Sequence, residues 1–351
     1  MRAHFSIMSD KSPLRVVAIG GGTGLSSVLQ GLKQYARPGD TGAPAIDITA
    51  IVTVTDDGGS SGRLRREFDV LPPGDIRNCM VALSEDSALL SRLFQYRFAS
   101  GRGLKGHSFG NLFLMALTQI MGDFPDAVTV SSEVLKIAGH IYPSTSANVA
   151  LEAKLANGEK VVGETRISAS RRRIRSIRLR PRKAPPVAAA LTAIAEADVI
   201  TFGPGSLFTS VIPHFLVDGI PEALAASPAL KVCFMNLMTQ PGETTGLSAA
   251  EHVCALLRHC GSLKRPPVDL CVVNDRPFSR QALRKYQAQG ALPVEADLHE
   301  IRRLGVRVLA TDLLRLNGRR AQERIRHDSG ALAAVAIELA QQGRRRKRKP
   351  A

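Results

Sequence analysis

The chain has 351 residues, of which 44% are hydrophobic, and a formal net charge of +16. This length and composition allow a sizeable core and argue against wholesale disorder, and no apolar run reaches the roughly 18 residues of a membrane span. Five irregularly spaced cysteines argue against a disulfide framework and favour a cytoplasmic protein. We interpret residues 1–13 as a flexible arm, because they lack the apolar stretch of a secretory signal.

The chain then alternates between apolar runs and helical patterns, separated by glycine-rich breaks. In chain order these patterns predict strand 14–19, helix 25–36, strand 48–54, helices 75–83 and 109–121, helix 186–196, strand 199–202, helix 207–218, strand 231–237, helix 248–259, strand 268–273, helix 279–287, strand 306–309 and helix 329–341. Such alternation predicts an α/β fold: a Rossmann-like, doubly wound and mostly parallel sheet.

One segment interrupts this alternation. Asn157 and Gly158 separate two short apolar runs, which is a hairpin signal, and residues 174–180 alternate apolar with basic side chains. We therefore expect a small β insertion at about 148–183 within a single α/β domain spanning 14–342.

The positive charge is concentrated in residues 171–183 and 344–349, and the remaining chain is nearly neutral. We interpret residues 343–351 as a disordered basic tail, for which contact with RNA or anionic surfaces remains open. The chain has no tryptophan, so an aromatic platform for single-stranded nucleic acid is poorly supported.

Two glycine-rich loops follow the first two predicted strands. The first contains Gly21, Gly22, Thr23 and Gly24, and the second contains Asp56, Asp57, Gly58, Gly59, Ser60, Ser61 and Arg63. Glycines before a helix expose backbone N–H groups to a phosphate, and an arginine can pair with it. The loops predict a phosphorylated ligand, although Ser27 replaces the third glycine of a dinucleotide fingerprint and no P-loop pattern is present.

Two later loops follow predicted strands in the same way. Residues 203–206 include Gly205 and Ser206, and residues 239–246 include Thr239, Glu243 and Thr244. Ligands of open α/β sheets bind outside the carboxyl ends of the strands. We therefore expect all four loops to share one ligand site at one edge of the sheet.

The titratable residues near these loops have more than one interpretation. Asp56 and Asp57 suit Mg²⁺ held against a diphosphate, a general base, or simple capping of the loop. Asp75 suits a helix cap, and Asn78, one turn on, can reach a sugar hydroxyl. His107 suits an acid or base as well as a structural role, and it opens a helix that contains Asn111.

Six ordered motifs together resemble the YvcK family of bacterial gluconeogenesis factors, relatives of the CofD-type 2-phospho-lactate transferases. They are residues 19–25 (IGGGTGL), 55–63 (TDDGGSSGR), 73–78 (PGDIRN), 106–112 (GHSFGNL), 203–207 (GPGSL) and 236–244 (NLMTQPGET). The resemblance covers about residues 14–330. It aligns Tyr286 and Arg326 with ligand-proximal positions of that family, and His214 replaces the asparagine that usually follows the proline after 203–207.

The resemblance implies binding of UDP-sugars, notably UDP-N-acetylglucosamine. The implied role is non-enzymatic: a factor for cell shape and envelope synthesis during gluconeogenic growth, acting through a protein partner. Two enzymatic alternatives remain, namely a CofD-like phosphotransferase that uses a nucleotide-activated donor and an NAD-dependent oxidoreductase. The second is weakest, because the fingerprint fails at Ser27. A homo-oligomer is also open.

Overall fold

A computed structural model describes residues 12–36, 45–85, 88–261, 263, 266–315 and 324–348. The strands are β1 Leu14–Gly20, β2 Ile46–Val52, β3 His140–Pro143, β4 Ala150–Leu155, β5 Lys160–Val162, β6 Ile174–Arg180, β7 Val199–Phe202, β8 Leu230–Phe234, β9 Leu270–Asn274 and β10 Arg307–Thr311. The helices are α1 Gly22–Leu32, α2 Gly59–Phe68, α3 Gly74–Leu83, α4 Ala88–Gln95, α5 Phe109–Met121, α6 Phe124–Val134, α7 Glu164–Ala169, α8 Ala188–Glu196, α9 Ile220–Ala226, α10 Ala249–Arg258, α11 Arg280–Gln287, α12 Leu298–Arg303 and α13 Ser329–Arg348.

Seven strands form one sheet in the order β10-β9-β8-β7-β1-β2-β3. Every pair in it is parallel, and helices flank it, so the predicted α/β fold is confirmed. The order reverses direction between β1 and β7, which pair directly. Such a switch point opens a crevice at the carboxyl ends of the two strands, where ligands of this architecture bind.

The helix after β1 is fixed by its apolar spacing. Leu25, Val28, Leu29 and Leu32 are fully buried on one face of α1, as expected for an amphipathic helix that packs on a sheet. α1 packs between α3 and α13, and α13 also crosses β1, β7 and β8. This packing places the N-terminus of α1 at the crevice.

The insertion is a three-stranded antiparallel sheet in the order β5-β4-β6. Gly158 has φ +87° in the β4–β5 turn, a conformation that favours glycine, and the hairpin expected at Asn157-Gly158 is confirmed. Helix α7 follows β5 and brings the insertion back to the loop after β2, where the Thr165 N–H donates to Asp57.

Two expectations about helices were wrong. Instead of one helix over 207–218, a π-helical turn Leu207–Val211 leads into a 3-10 turn Ile212–Leu216, because Pro213 lacks the N–H group that a continuing helix needs. The basic tail is not disordered over 343–348, because α13 continues to Arg348. Residues 349–351, and residues 1–11 of the predicted arm, lie outside the described residues.

Candidate functional site

A cavity of about 540 Å³ opens at the switch point between β1 and β7. Its walls come from the loops after β1, β2, β7 and β8, from α3 and α7, and from the segment before α13. The predicted site residues that line it are Gly21, Gly22, Thr23, Gly24, Asp56, Asp75, Gly205, Ser206, Tyr286 and Arg326. Ser27, Glu164, Pro204, Ser210, Asn236, Leu237, Met238, Gln240, Ile325 and His327 complete the lining.

The N-terminus of α1 faces this cavity. Gly21 is its N-cap residue and supplies no side-chain cap, so the first N–H groups of the helix depend on other partners. The N–H of Gly22 donates to the Asp75 carboxylate. The remaining N–H groups and the helix dipole make this end a natural anion site.

Crowding by neighbouring atoms explains two glycines of the first loop. A Cβ on Gly21 would lie 2.6 Å from Cγ2 of Thr53 and 2.7 Å from Oδ2 of Asp75. A Cβ on Gly24 would lie 2.0 Å from the carbonyl oxygen of Pro204. The loops after β1 and β7 therefore meet directly, as two glycine loops at one sheet edge were expected to do.

The 203–206 loop is held by the segment that follows β8. The Asn236 amide donates from Nδ2 to the Gly205 carbonyl at 2.7 Å and accepts at Oδ1 from the Gly205 N–H at 3.0 Å. The Gln240 Nε2 group donates to Ser206 Oγ at 2.9 Å. These bonds fix the loop against α1 without using the free N–H groups of α1.

The opposite wall carries the cationic group of the cavity. Tyr286 Oη donates to the Ile325 carbonyl at 3.2 Å and accepts from the Ile325 N–H at 3.1 Å, which positions the exposed Arg326. The Nε2–H group of the neighbouring His327 donates to the Met235 carbonyl at 3.1 Å. Burial lowers the pKa of His327 to about 4, so that ring is neutral at physiological pH.

Three carboxyl groups form the acidic side of the cavity. Burial, together with the charge of Asp56, raises the pKa of Asp75 to about 7. Burial, and then the charges of Asp56, Asp75 and Glu243, raises the pKa of Glu164 to about 8. Asp75 and Glu164 therefore each change protonation state near neutral pH. This suits a role in proton transfer, and it also suits a change of charge that is coupled to ligand binding.

The predicted carboxylate pair is split. Asp56 lines the cavity and accepts from the Gly58 N–H at 2.8 Å. Asp57 turns toward the insertion, where its Oδ1 accepts from the N–H and Oγ1 of Thr165 at 2.9 and 2.7 Å. Asp57 thus anchors α7, and this anchoring brings Glu164 into the cavity.

The carboxylates of the cavity meet only part of what Mg²⁺ requires. Among the described residues, no group of three or more His, Cys, Asp or Glu side chains is arranged to hold a metal ion. Mg²⁺ often binds through one or two carboxylates together with phosphate oxygens and water. Asp56 and Asp75 fit this mode, in which the ligand's phosphates supply the remaining oxygens, whereas Asp57 does not.

The other residues of the second loop lie outside the cavity lining. Gly58 is the N-cap residue of α2, Gly59 begins the helix, and Ser60 and Ser61 are buried in its first turn. Ser60 Oγ lies 3.0 Å from Nδ1 of His107, whose pKa is lowered by burial and then by the charges of Arg63 and Arg97.

Three further predicted residues also lie outside the cavity lining. Arg63 donates to the Lys105 carbonyl, Asn78 accepts from Arg77, and Asn111 is buried.

Four more predicted residues are buried outside the cavity lining and hold the surrounding segments in place. Thr239 and Thr244 accept N–H groups of Leu292 and Gln240, both at 2.9 Å. Glu243 Oε1 accepts from Thr209 Oγ1 at 3.0 Å. The fully buried His214 donates from Nε2 to the Gly20 carbonyl at 3.0 Å, and burial lowers its pKa to about 4.

Some lining residues carry little signal in the sequence. Glu164 reaches the cavity only through the fold of the insertion, and Ser210 only through the π-helical turn. Asn236 and Gln240 stand inside the 236–244 motif, so their neighbourhood was identified although the residues singled out there were Thr239, Glu243 and Thr244.

Comparison with known proteins accounts for these motifs. A family profile described as 2-phospho-L-lactate transferase CofD matches residues 16–314. The chain belongs to the CofD family. Its resemblance to the YvcK members of the CofD family is confirmed, because the relatives it matches carry the gluconeogenesis factor description.

Two relatives and one solved structure give the extent of this similarity. The gluconeogenesis factor of Bacillus subtilis is 43% identical over 327 residues, 93% of this chain and 98% of that protein. A relative from Nostoc sp. is 48% identical over 300 residues, which are 86% of this chain and 63% of that longer protein. A crystal structure from Bacillus halodurans matches with a TM-score of 0.86 at 42% identity, covering 93% of this chain and all of that one.

Proposed function

We propose that this CofD-family chain is a cytoplasmic factor that binds a nucleotide sugar, UDP-N-acetylglucosamine or another UDP-sugar, and that its occupancy reports on precursor supply for cell-envelope synthesis during gluconeogenic growth. The description of its relatives as gluconeogenesis factors supports the growth context. The described part of the chain contains no helix long and apolar enough to cross a membrane.

The observation that carries the proposal is the N-terminus of α1, whose N-cap residue Gly21 supplies no side-chain cap, in a cavity at the sheet's switch point. The N–H groups of Thr23 and Gly24 suit a diphosphate, and Arg326 lines the same cavity. The volume of about 540 Å³ falls within the roughly 300–1,000 Å³ of small-molecule sites.

A CofD-like transferase is the second candidate, and the raised pKa values of Asp75 and Glu164 favour it. Both groups are available as acid or base near neutral pH. Binding without turnover is supported by the one histidine of the cavity lining, His327, whose Nε2 is committed to the Met235 carbonyl.

Replacing Arg326 with alanine should weaken ligand binding without changing the unliganded protein. Its side chain is exposed and lines the cavity, so its loss removes a charge-assisted phosphate contact and no core packing. We expect the Kd for UDP-N-acetylglucosamine to rise by about tenfold or more. Isothermal titration calorimetry gives the Kd, and thermal unfolding without ligand gives the stability.

Arg324→Ala is the matched control, since Arg324 is an exposed arginine two positions away that does not line the cavity. Equal Kd values for the wild type and Arg326→Ala would contradict the proposed phosphate contact. If no UDP-sugar stabilises the protein against thermal unfolding, with or without Mg²⁺, the proposal of nucleotide-sugar binding is ruled out. Mass spectrometry should recover the nucleotide sugar intact, whereas its conversion in the presence of hydroxyl acceptors would favour the transferase.

Binding measured in a chelator should strengthen as the pH falls. The raised pKa values of Asp75, about 7, and Glu164, about 8, leave both groups ionised near pH 9, where they repel a diphosphate, and largely neutral near pH 6. Each proton taken up on binding changes the affinity by up to about tenfold per pH unit. Titrations with UDP-N-acetylglucosamine across this range check the expectation.

Glu164→Gln should tighten binding near pH 9 and flatten the pH profile, because it removes one of the repelling charges. Glu159→Gln, an exposed site in the β4–β5 turn of the same insertion, should leave the profile unchanged. A wild-type affinity that is constant from about pH 6 to 9, or a Glu164→Gln profile as steep as the wild type, would show that these carboxyl groups do not face the bound phosphates.

A further inference from the structure

A second cavity, of about 240 Å³, lies between the insertion and α10. It shares no lining residue with the cavity at the switch point. Its floor is apolar and buried, and is formed by Ile174, Phe208, Leu247 and Ala255. A cavity with an apolar floor and a mouth that opens to solvent is the usual basis of a small-molecule site.

Arginines dominate the rim of this cavity. Arg173 donates from Nη2 to Glu251 at 2.9 Å, and Glu251 is also committed to the α10 capping box with Ser248. Arg258 donates from Nε to the Cys254 carbonyl of its own helix at 3.3 Å. The Arg175 side chain, on β6, has no hydrogen-bond or ion-pair partner in the part of the chain that the structure describes. Two guanidinium charges therefore remain without a carboxylate.

His259 forms the wall between floor and rim. Its Nδ1–H donates to the Ala255 carbonyl at 2.6 Å, and its Nε2 accepts from the Ile177 N–H at 3.0 Å. Both ring nitrogens are used in a neutral ring, whose edge-to-face contact with Phe208 has a centroid distance of 6.2 Å. The polar recognition that the cavity offers therefore comes from Arg175 and Arg258.

We propose that this cavity is a second binding site, which takes a small organic anion: one phosphate or carboxylate on Arg175 and Arg258, and an apolar body on the floor. Guanidinium groups match both anions through paired hydrogen bonds. The volume of about 240 Å³ lies below the roughly 300–1,000 Å³ of drug-sized sites, so a nucleotide sugar is too large. The inference does not depend on the function proposed for the first cavity.

The apolar floor distinguishes this cavity from the other basic surface of the insertion. A shallow hollow lined by Lys160, Arg178, Arg180 and Arg182 has mainly charged side chains, and Arg178 is already paired with Glu152. Such a surface suits non-specific attraction of anions. The cavity beside α10 instead places arginines without a carboxylate over a floor of four buried apolar side chains, and therefore selects for shape as well as charge.

Phenyl phosphate is the probe for this site, because it joins a phosphate to a small apolar ring. We expect its titration into full-length protein with labelled methyl groups to shift the Ile174 and Leu247 methyl resonances in a saturable way. Inorganic phosphate lacks the ring and benzyl alcohol lacks the charge, so both should bind more weakly. UDP-N-acetylglucosamine should not displace the probe.

Combined Arg175→Ala and Arg258→Ala substitutions should weaken probe binding by about tenfold or more, while Arg66→Ala, an exposed arginine of α2, should not. All three arginines are exposed, and an unchanged methyl spectrum without probe verifies folding. Absence of saturable shifts at Ile174 and Leu247 would overturn the proposal. So would equal affinity in the double variant, or shifts confined to Thr23 and other residues of the first cavity.

Discussion

Gly24→Ala should lower the free energy of unfolding by about 3 kcal/mol, the upper range for overpacking a well-packed site, and abolish ligand binding. The new Cβ would lie 2.0 Å from the carbonyl oxygen and 2.7 Å from the carbonyl carbon of Pro204. Both contacts are with backbone, so no side-chain rotation relieves them. The first turn of α1 must then separate from the 203–206 loop, which opens the wall of the cavity at which we propose that the phosphates bind.

Urea unfolding and calorimetric titration with UDP-N-acetylglucosamine measure the two effects. Helix propensity alone would favour alanine by about 1 kcal/mol, so a net loss isolates the steric contact. Gly205→Ala is the matched control in the facing loop, because a Cβ there would meet its nearest neighbours at an ordinary 3.7 Å. It should change stability by less than about 1 kcal/mol. Wild-type stability in Gly24→Ala would mean that the two loops are not in contact.

Local sequence signals predicted the parts of the site that depend on backbone geometry. Glycine loops after two buried strands predicted that 20–24 and 203–206 share one edge of the sheet, and the Gly24–Pro204 approach shows that they do. The Rossmann-like order follows from alternation of strands and helices, which local periodicity records well. These elements required no knowledge of long-range side-chain pairing.

Side-chain direction was much harder to predict. Asp56 and Asp57 are adjacent in sequence, yet one lines the cavity and the other holds Thr165 in the insertion. Which carboxylate turns inward depends on where the insertion packs, and no local pattern encodes that. Glu164 shows the same limit from the other side, because α7 has only six residues and its position depends on the Asp57 contact.

The C-terminal basic run shows how composition alone can mislead. A run of arginine and lysine is typical of a solvated tail, and residues 343–351 were interpreted in that way. In the structure α13 continues to Arg348 and crosses the sheet, so alternate side chains of the run face different surroundings. Arg344 is only 17% exposed, whereas Arg345 is exposed.

Arg344→Ala should therefore destabilise the fold by about 2–3 kcal/mol, somewhat less than the 3–5 kcal/mol for breaking a fully buried ion pair. The guanidinium donates to Asp198 Oδ2 from Nε at 3.1 Å and from Nη2 at 2.7 Å, and to the Ser12 carbonyl at 2.7 Å. It thus ties α13 to the start of β7 and to the residues before β1. Lys347, whose Nζ lies 3.2 Å from Asp198 Oδ1, remains in the variant and offsets part of the buried negative charge of Asp198.

Arg345→Ala is the matched control, and its free energy of unfolding should stay within about 0.5 kcal/mol of the wild type.

Burial of Asp198 raises its pKa, but hydrogen bonds from Arg344 and the Arg15 N–H, with the charge of Lys347, outweigh this effect and lower the pKa below its usual value. The stabilisation is therefore complete above the unfolded-state pKa of about 4 and is lost as the pH falls through the lower folded-state value. Urea unfolding should show a difference in the free energy of unfolding between wild type and Arg344→Ala at neutral pH. This difference should become smaller below about pH 4. If Arg344→Ala is as stable as Arg345→Ala at neutral pH, the run is a solvated tail after all, and the ion pair does not hold α13 against the sheet.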